Sequence, residues 1–205
     1  MMRRAILAAA IVTAMTALPV PAAAQTPSAP ELLERYEQNR IAFLELVAGL
    51  SPAQWTFKEA PERWSIAEVA EHVALTDRWV LGVLTEGLRE IDPSDEARTR
   101  AAALEGQITS ALRDRSQKFE APDPVRPAGA LVEGPEIVEK FAETRAALEG
   151  YLQSVDYDMR TRVATNPNLG ADMDARVWAV LVLEHTARHI EQMREVMAAD
   201  GFPGS

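Results

Sequence analysis

The sequence predicts an all-α protein, a four-helix bundle with one accessory helix, that follows an N-terminal export signal. Apolar residues recur with a period near 3.6 through the long segments, which is typical of helices that bury one face. Two segments begin with Ser followed three residues later by Gln or Glu, the signature of a capping box. No segment shows the apolar–polar alternation of a strand, so the helices are expected to pack on one another as a bundle.

Residues 1–24 have the three parts of a secretory signal peptide. The start is basic, residues 5–20 carry no charge, and small residues lead to Ala24. We expect cleavage between Ala24 and Gln25, and a periplasmic or secreted mature chain. An uncleaved membrane anchor is the alternative, but this apolar run of 16 residues is shorter than the roughly 20 that a spanning helix needs.

The mature chain begins with a short linker, residues 25–30, that is rich in Pro, Ser and Thr. The first helix is predicted for residues 31–49 from its apolar periodicity. A new, short helix is predicted to begin next. Ser51 is the predicted cap, Pro52 takes the first helical position, and Gln54 completes a capping box.

The second long helix has the clearest start signal in the chain. Ser65 and Glu68 form a predicted capping box, and the helix is expected to continue to about residue 91. A third helix is predicted for residues 95–118. Residues 120–133 contain three prolines and are interpreted as a long connection.

The C-terminal half contains two more predicted helices, residues 135–155 and 173–199, with a turn at residues 166–170 between them. The last helix is expected to stop before Gly201, because glycine favours the conformation that ends helices. All of these elements are assigned to one domain, residues 31–203, which is long enough to bury a hydrophobic core.

Composition excludes several kinds of function. The chain has no cysteine, so disulfides, thiolate metal sites and a cysteine nucleophile are impossible. Without the two arginines of the signal, 19 basic and 31 acidic side chains leave a net charge of −12. Such a chain is a poor ligand for nucleic acid or anionic lipid. We therefore expect a small-molecule substrate, and no stable membrane insertion once the signal is cleaved.

The chain has only three histidines, and their spacing indicates a metal site. His185 and His189 are four residues apart, so both rings lie on one helix face, one turn apart. That face and the face of His72 on the second helix are largely apolar and are expected to point inward. Three imidazoles leave a tetrahedral ion one open position, as in catalytic zinc sites, where a bound water becomes more acidic. The alternative is that each histidine is a hydrogen-bonded core residue.

Four further residues are candidates for supporting the metal or lining a pocket. Gln192 lies one turn after His189 and is a candidate to orient a ligand or the substrate. Glu68 is a candidate partner or general base, although its capping role already explains it. Trp79 and Trp178 lie on the histidine faces and are expected to be core residues or a pocket wall.

Four charged residues near the histidines are expected to lie mainly at the surface. Glu71 and Glu184 each precede a histidine and so point about 100° away from it around the helix. Asp77 and Arg188 are given the same interpretation, with support of the metal ligands as the alternative.

Two segments resemble the DinB/YfiT-like superfamily. Residues 64–77, which end in His72-Val-Ala-Leu-Thr-Asp77, resemble the segment with that family's first metal histidine. Residues 184–192 are similar to its closing H-x3-H-x2-Q segment. The weaker resemblance extends over nearly the whole mature chain. It implies a four-helix bundle, often dimeric, with a three-histidine zinc or nickel site. The chain departs from the family at Asn166-Pro167, where relatives often have His-Pro.

The resemblance leaves three functions open. Relatives include thiol-dependent transferases and isomerases, and others are regarded as metal-dependent hydrolases. We favour a metal-dependent hydrolase of unknown substrate, with zinc first and nickel second as the ion. Export counts against a thiol S-transferase or isomerase, because low-molecular-weight thiols are mainly cytoplasmic. The lack of an evident general base keeps a non-enzymatic metal-binding or interaction bundle open, and a homodimer is expected from the family alone.

Overall fold

The computed structural model describes residues 29–129 and 134–204. The predicted signal peptide, residues 1–24, and most of the predicted linker lie outside them. No helix within the described ranges is both long and apolar enough to cross a bilayer. The described elements are, in chain order, α1 (Ala29–Val47), α2 (Pro52–Thr56), α3 (Ile66–Gly82), α4 (Asp95–Arg113), α5 (Gly134–Ser154), β1 (Val163–Asn166), β2 (Ala171–Asp174) and α6 (Ala175–Met197).

The fold is mostly helical, as the sequence predicts, but it also contains a β-hairpin that the sequence analysis missed. β1 and β2 pair antiparallel, with Val163 opposite Asp174. The turn between them is the predicted one. The Asn166 side-chain oxygen accepts hydrogen bonds from the amides of Asn168 (3.0 Å) and Leu169 (3.2 Å). Strands of four residues are too short to show a period in the sequence.

Both predicted capping boxes are confirmed. The Ser51 amide donates to the Gln54 side chain at 2.8 Å, and the Gln54 amide donates to the Ser51 hydroxyl at 3.4 Å. At the start of α3, the corresponding bonds between Ser65 and Glu68 are 2.8 and 3.2 Å. Because these bonds are local, the sequence alone indicates where both helices begin.

Helix ends differ from the predictions by a few residues. The α-helical part of α3 stops at Gly82, and one π-helical turn, Val83–Gly87, continues it, closed by a bond from the Leu88 amide to the Val83 carbonyl at 2.8 Å. α4 ends at Arg113 instead of residue 118. There the Asp114 carboxylate accepts the Ser116 amide at 3.0 Å, and such local bonds compete with the helix.

The helix packing places α3 beside α6. α3 contacts α5 and α6, and α1 contacts the same two helices from the other side. One apolar cluster centres on the fully buried Phe43 and Phe141, whose rings stack at 3.8 Å. A second cluster surrounds Trp178 and Met173. Since α3 carries His72 and α6 carries His185, this packing brings distant parts of the sequence together.

Residues 114–129, which we call the strap, continue the chain from the end of α4 and reach α3. One end of the strap is fixed to α6 by the Arg188 guanidinium, which donates to three carbonyl oxygens, those of Leu112 (3.0 Å), Asp114 (2.9 Å) and Gln117 (2.5 Å). The other end contains a short 3-10 helix, Asp123–Val125, that packs against α3.

Candidate metal centre

The three histidines lie together at the contact between α3 and α6. The Nε2 atom of His185 is 3.0 Å from Nε2 of His72 and 3.1 Å from Nε2 of His189. Candidate ligand atoms of all three lie within 4.8 Å of one another. Nitrogen atoms bound at 2.0–2.1 Å to a tetrahedral ion are about 3.3 Å apart. The donor atoms are therefore spaced nearly as a bound divalent ion requires.

Two of the three rings have their proton position fixed from outside the cluster. Nδ1 of His72 lies 2.6 Å from the Val125 carbonyl oxygen, and because that oxygen only accepts, Nδ1 carries the proton. Nδ1 of His189 likewise donates to the Gln192 side-chain oxygen at 2.8 Å. In both rings the Nε2 lone pair then faces His185. A neutral imidazole with its proton on Nδ1 can bind a metal through this Nε2 lone pair.

The hydrogen bonding of the cluster is incomplete without a cation. A neutral His185 has one ring proton and cannot donate from Nε2 to both His72 and His189. Its Nδ1 atom is buried with no hydrogen-bond partner among the described residues, and an ion bound at Nε2 would leave Nδ1 as it is. A divalent ion would replace both nitrogen–nitrogen contacts by coordination, so the residues present fit such an ion.

Burial keeps the histidines neutral. It lowers the pKa of His72, although the bond to Val125 opposes the shift. Burial, together with the two neighbouring rings, holds the pKa of His185 well below its ordinary value. Burial and the adjacent His72 lower the pKa of His189 to about 3. Neutral imidazole is the form that binds metal, so protons compete weakly for this site.

The supporting candidates from the sequence occupy different places. Gln192 contacts a histidine directly, as described above. Glu68 instead faces the helix start, where it accepts from the Ser65 amide and pairs with Lys58 at 2.7 Å. Trp79 and Trp178 pack edge to face on each other, with ring centroids 5.3 Å apart, in the cluster around Met173.

A different tryptophan lies against the metal cluster. The ring centroid of Trp64 is 5.0 Å from that of His72. Trp64 directly precedes the α3 cap Ser65 and was not among the site residues predicted from the sequence. Trp64 forms one wall of the cluster, and His185 is half-buried.

Glu71 and Glu184 are buried, so the expectation of a surface position is wrong for both; their side chains are 1% and 2% exposed. The Glu184 carboxylate accepts from Arg113 at 2.8 and 2.9 Å and from Arg35 at 2.5 Å. The Glu71 carboxylate accepts from the Gly129 amide of the strap at 3.0 Å. Both side chains do point away from the histidine cluster, but other elements cover the faces to which they point.

The surface expectation is also wrong for Asp77, which is fully buried. Its carboxylate pairs with the equally buried Arg145, with Nε 2.7 Å from Oδ2 and Nη2 3.1 Å from Oδ1. Arg145 also donates to the hydroxyl of Thr186, the residue after His185. The Asp77–Arg145 pair therefore connects α3, α5 and α6 next to His185.

Comparison with known proteins identifies the family. The profile of the DinB superfamily matches residues 35–193, a range that contains all three histidines. The chain belongs to the DinB superfamily. It is also similar to the uncharacterized protein YuaE of Bacillus subtilis (strain 168), with 25% identity over 161 residues, 78% of this chain and 94% of YuaE. No solved structure matches significantly. For this DinB-superfamily chain, the family and the three-histidine cluster are together compatible with metal binding.

Proposed function

We propose that this chain is an exported DinB-superfamily enzyme that binds one divalent metal ion through His72, His185 and His189 and hydrolyses a small-molecule substrate. The proposal rests on the hydrogen bonds at Nδ1 of His72 and His189. These bonds leave the Nε2 lone pairs of both rings directed at Nε2 of His185. In a histidine cluster that only fills the core, lone pairs directed at one another would lack hydrogen-bond donors.

The chain's own residues supply binding and orientation. The Val125 carbonyl and the Gln192 side chain keep His72 and His189 in the Nδ1-protonated form. His185 is half-buried, and we propose that a substrate approaches the cluster from its side. A divalent ion held by these three neutral imidazoles would supply a Lewis acid that makes water more acidic. Imidazole suits both zinc and nickel, and zinc is our first choice.

The scaffold we propose is the four-helix bundle of the family, made of α1, α3, α5 and α6. Each of these helices contacts two of the others in a closed ring, α1–α5–α3–α6. α4 packs on the outside against α6 as an additional helix. In this arrangement the metal lies between two neighbouring helices of the bundle, where carboxylate and histidine sites of helical bundles are usually built.

Elemental analysis of protein purified from its own compartment tests the metal site. We expect one zinc or nickel ion per chain, a mature N-terminus at Gln25, and loss of the ion in His72→Ala. Arg194→Ala, which changes an exposed side chain of α6, should retain it. Absence of any divalent metal from the wild-type protein, or full occupancy in His72→Ala, would overturn the proposal.

Activity measurements separate the three functions. Hydrolysis of ester, amide or phosphate substrates that stops on metal removal and returns on metal addition supports the hydrolase. Perturbation of the visible spectrum of the cobalt-substituted protein by a low-molecular-weight thiol, without hydrolysis, favours the thiol-transferase alternative. A tightly held metal with neither result favours the non-enzymatic bundle.

A further inference from the structure

Two consecutive residues of α3 bind the same short stretch of the strap. Nδ1 of His72 donates to the Val125 carbonyl at 2.6 Å, and the Glu71 carboxylate accepts from the Gly129 amide at 3.0 Å. Both side chains are buried. The strap residues that His72 and Glu71 bind, Val125 and Gly129, are therefore only four positions apart in the sequence.

Prolines restrict the strap backbone before and between these two contacts. Pro122, Pro124 and Pro127 each have a fixed φ angle. The Val125 amide closes a turn on the Pro122 carbonyl at 3.0 Å, and the Val125 side chain is itself buried. Only three residues separate Val125 from Gly129, and the φ angle of Pro127 among them is fixed, so a displacement at Gly129 is expected to shift the Val125 carbonyl.

The opposite end of the strap is fixed to α6 in a comparable way. Arg188, which directly precedes His189, binds the carbonyls of Leu112, Asp114 and Gln117. The backbone carbonyl of Arg188 accepts in return from Arg115 at 2.7 Å. The strap thus connects α6 to α3 through residues adjacent to two of the three histidines.

We propose that Glu71 is a positioning residue of the metal centre. By holding Gly129, it keeps the Val125 carbonyl where it fixes the orientation and tautomer of His72. This inference rests on the metal site of the proposed function, but its first consequence, the tautomer of His72, exists without metal. Partners of this kind, which hold a metal-binding histidine from outside, commonly change metal affinity about 10- to 100-fold when they are removed.

The test compares Glu71→Leu, which removes the acceptor at similar length, with Glu71→Gln, which retains one oxygen acceptor. Nitrogen NMR of the metal-free protein reports the His72 tautomer. We expect the Nδ1-protonated form in the wild type and in Glu71→Gln, and a mixture of tautomers in Glu71→Leu. Lys118→Ala, which alters an exposed side chain of the strap outside the segment from Val125 to Gly129, is the control and should resemble the wild type.

Metal binding gives the second readout. Glu71→Leu should bind zinc about 10- to 100-fold more weakly and change the visible spectrum of the cobalt-substituted protein, while Glu71→Gln stays close to the wild type. If Glu71→Leu only lowers the melting temperature and keeps the wild-type tautomer, zinc affinity and cobalt spectrum, Glu71 is structural and the inference fails. Should Glu71→Leu not fold, Glu71→Ala is measured in the same way.

The two proposals can fail separately. A wild-type protein that binds no divalent ion refutes the metal-dependent function, and the NMR comparison still decides whether Glu71 controls the His72 tautomer. A wild-type protein that binds zinc, with a Glu71→Leu variant that binds it equally well and unchanged in spectrum, leaves the function standing and refutes the positioning role.

Discussion

The Nε2 atoms of His72 and His185 lie 3.0 Å apart, although 113 residues separate them in the chain. The contact exists because α3 and α6 pack side by side and present these rings to each other. Outside the pair, the Val125 carbonyl accepts from His72, whereas Nδ1 of His185 has no hydrogen-bond partner within residues 29–129 and 134–204. The His72 ring is therefore restrained more than the His185 ring, and substitutions next to the two rings should differ in their effects.

Metal removal should lower the stability of the wild-type protein. A ligand that binds only the folded state at 100 times its Kd adds about 2.7 kcal/mol to the free energy of unfolding. We expect zinc to raise the melting temperature of the metal-free protein and a chelator to reverse the effect. In His185→Ala the zinc-induced increase should disappear. Thermal unfolding at several zinc concentrations measures this, and an equal increase in His185→Ala would contradict a shared site.

Gln192 should tune the metal affinity through His189. Gln192→Leu removes the acceptor of the Nδ1 proton at similar volume, and we expect about 10- to 100-fold weaker zinc binding. Gln192→Glu retains an acceptor and adds negative charge, so its affinity should equal or exceed that of the wild type. Competition with a chromophoric chelator measures both, and Gln38→Leu on exposed α1 surface is the control. Unchanged affinity in Gln192→Leu would show that this bond is dispensable.

In the metal-free protein, stability should decrease as the pH falls below 6.5. Burial lowers the pKa of His189 from 6.5 to about 3, so between these values the unfolded chain takes up a proton that the folded chain does not. The free energy of unfolding then falls by up to about 1.4 kcal/mol per pH unit from this residue. Urea unfolding between pH 7 and pH 4 should show a shallower decrease in His189→Gln. Parallel curves for the two proteins would contradict the assignment.

Glu184 should contribute to stability although it lies outside the metal cluster. Its buried carboxylate joins α6 to Arg35 of α1 and Arg113 of α4. Glu184→Ala removes these charged hydrogen bonds, and we expect the free energy of unfolding to fall by about 1.5–3 kcal/mol. Glu191→Ala on the exposed face of the same helix should change little, because its pair with Arg194 is solvated. Urea unfolding of the metal-free proteins tests the contrast, and equal losses would refute it.

Gly134 and Gly150 in α5 should respond in opposite directions to alanine. A Cβ atom at Gly134 would overlap the Trp55 indole, so Gly134→Ala should cost about 1–3 kcal/mol. No atom of the described part of the chain lies within 4 Å of a Cβ at Gly150, which is exposed, so Gly150→Ala should stabilise the helix by up to about 1 kcal/mol. Chemical unfolding of both variants measures the difference. A neutral Gly134→Ala would mean that Trp55 moves aside without cost.

Local signals in the sequence predicted much of the helical structure. The capping residues Ser51 and Ser65 bond to amides three residues away, so the starts of α2 and α3 depend on neighbouring residues alone. The spacing of His185 and His189 likewise predicted that they share a helix face. The short strands escaped prediction because β1 and β2 are defined by their pairing with each other.

The sequence by itself determined which side chains could bind a metal, because three histidines and no cysteine leave few alternatives, and it determined the faces on which they lie. Only the tertiary structure decided what surrounds them. The Val125 carbonyl belongs to the backbone and carries no residue-specific signal. Glu71 and Glu184 became buried because the strap, α1 and α4 pack over helix faces whose coverage no local pattern encodes.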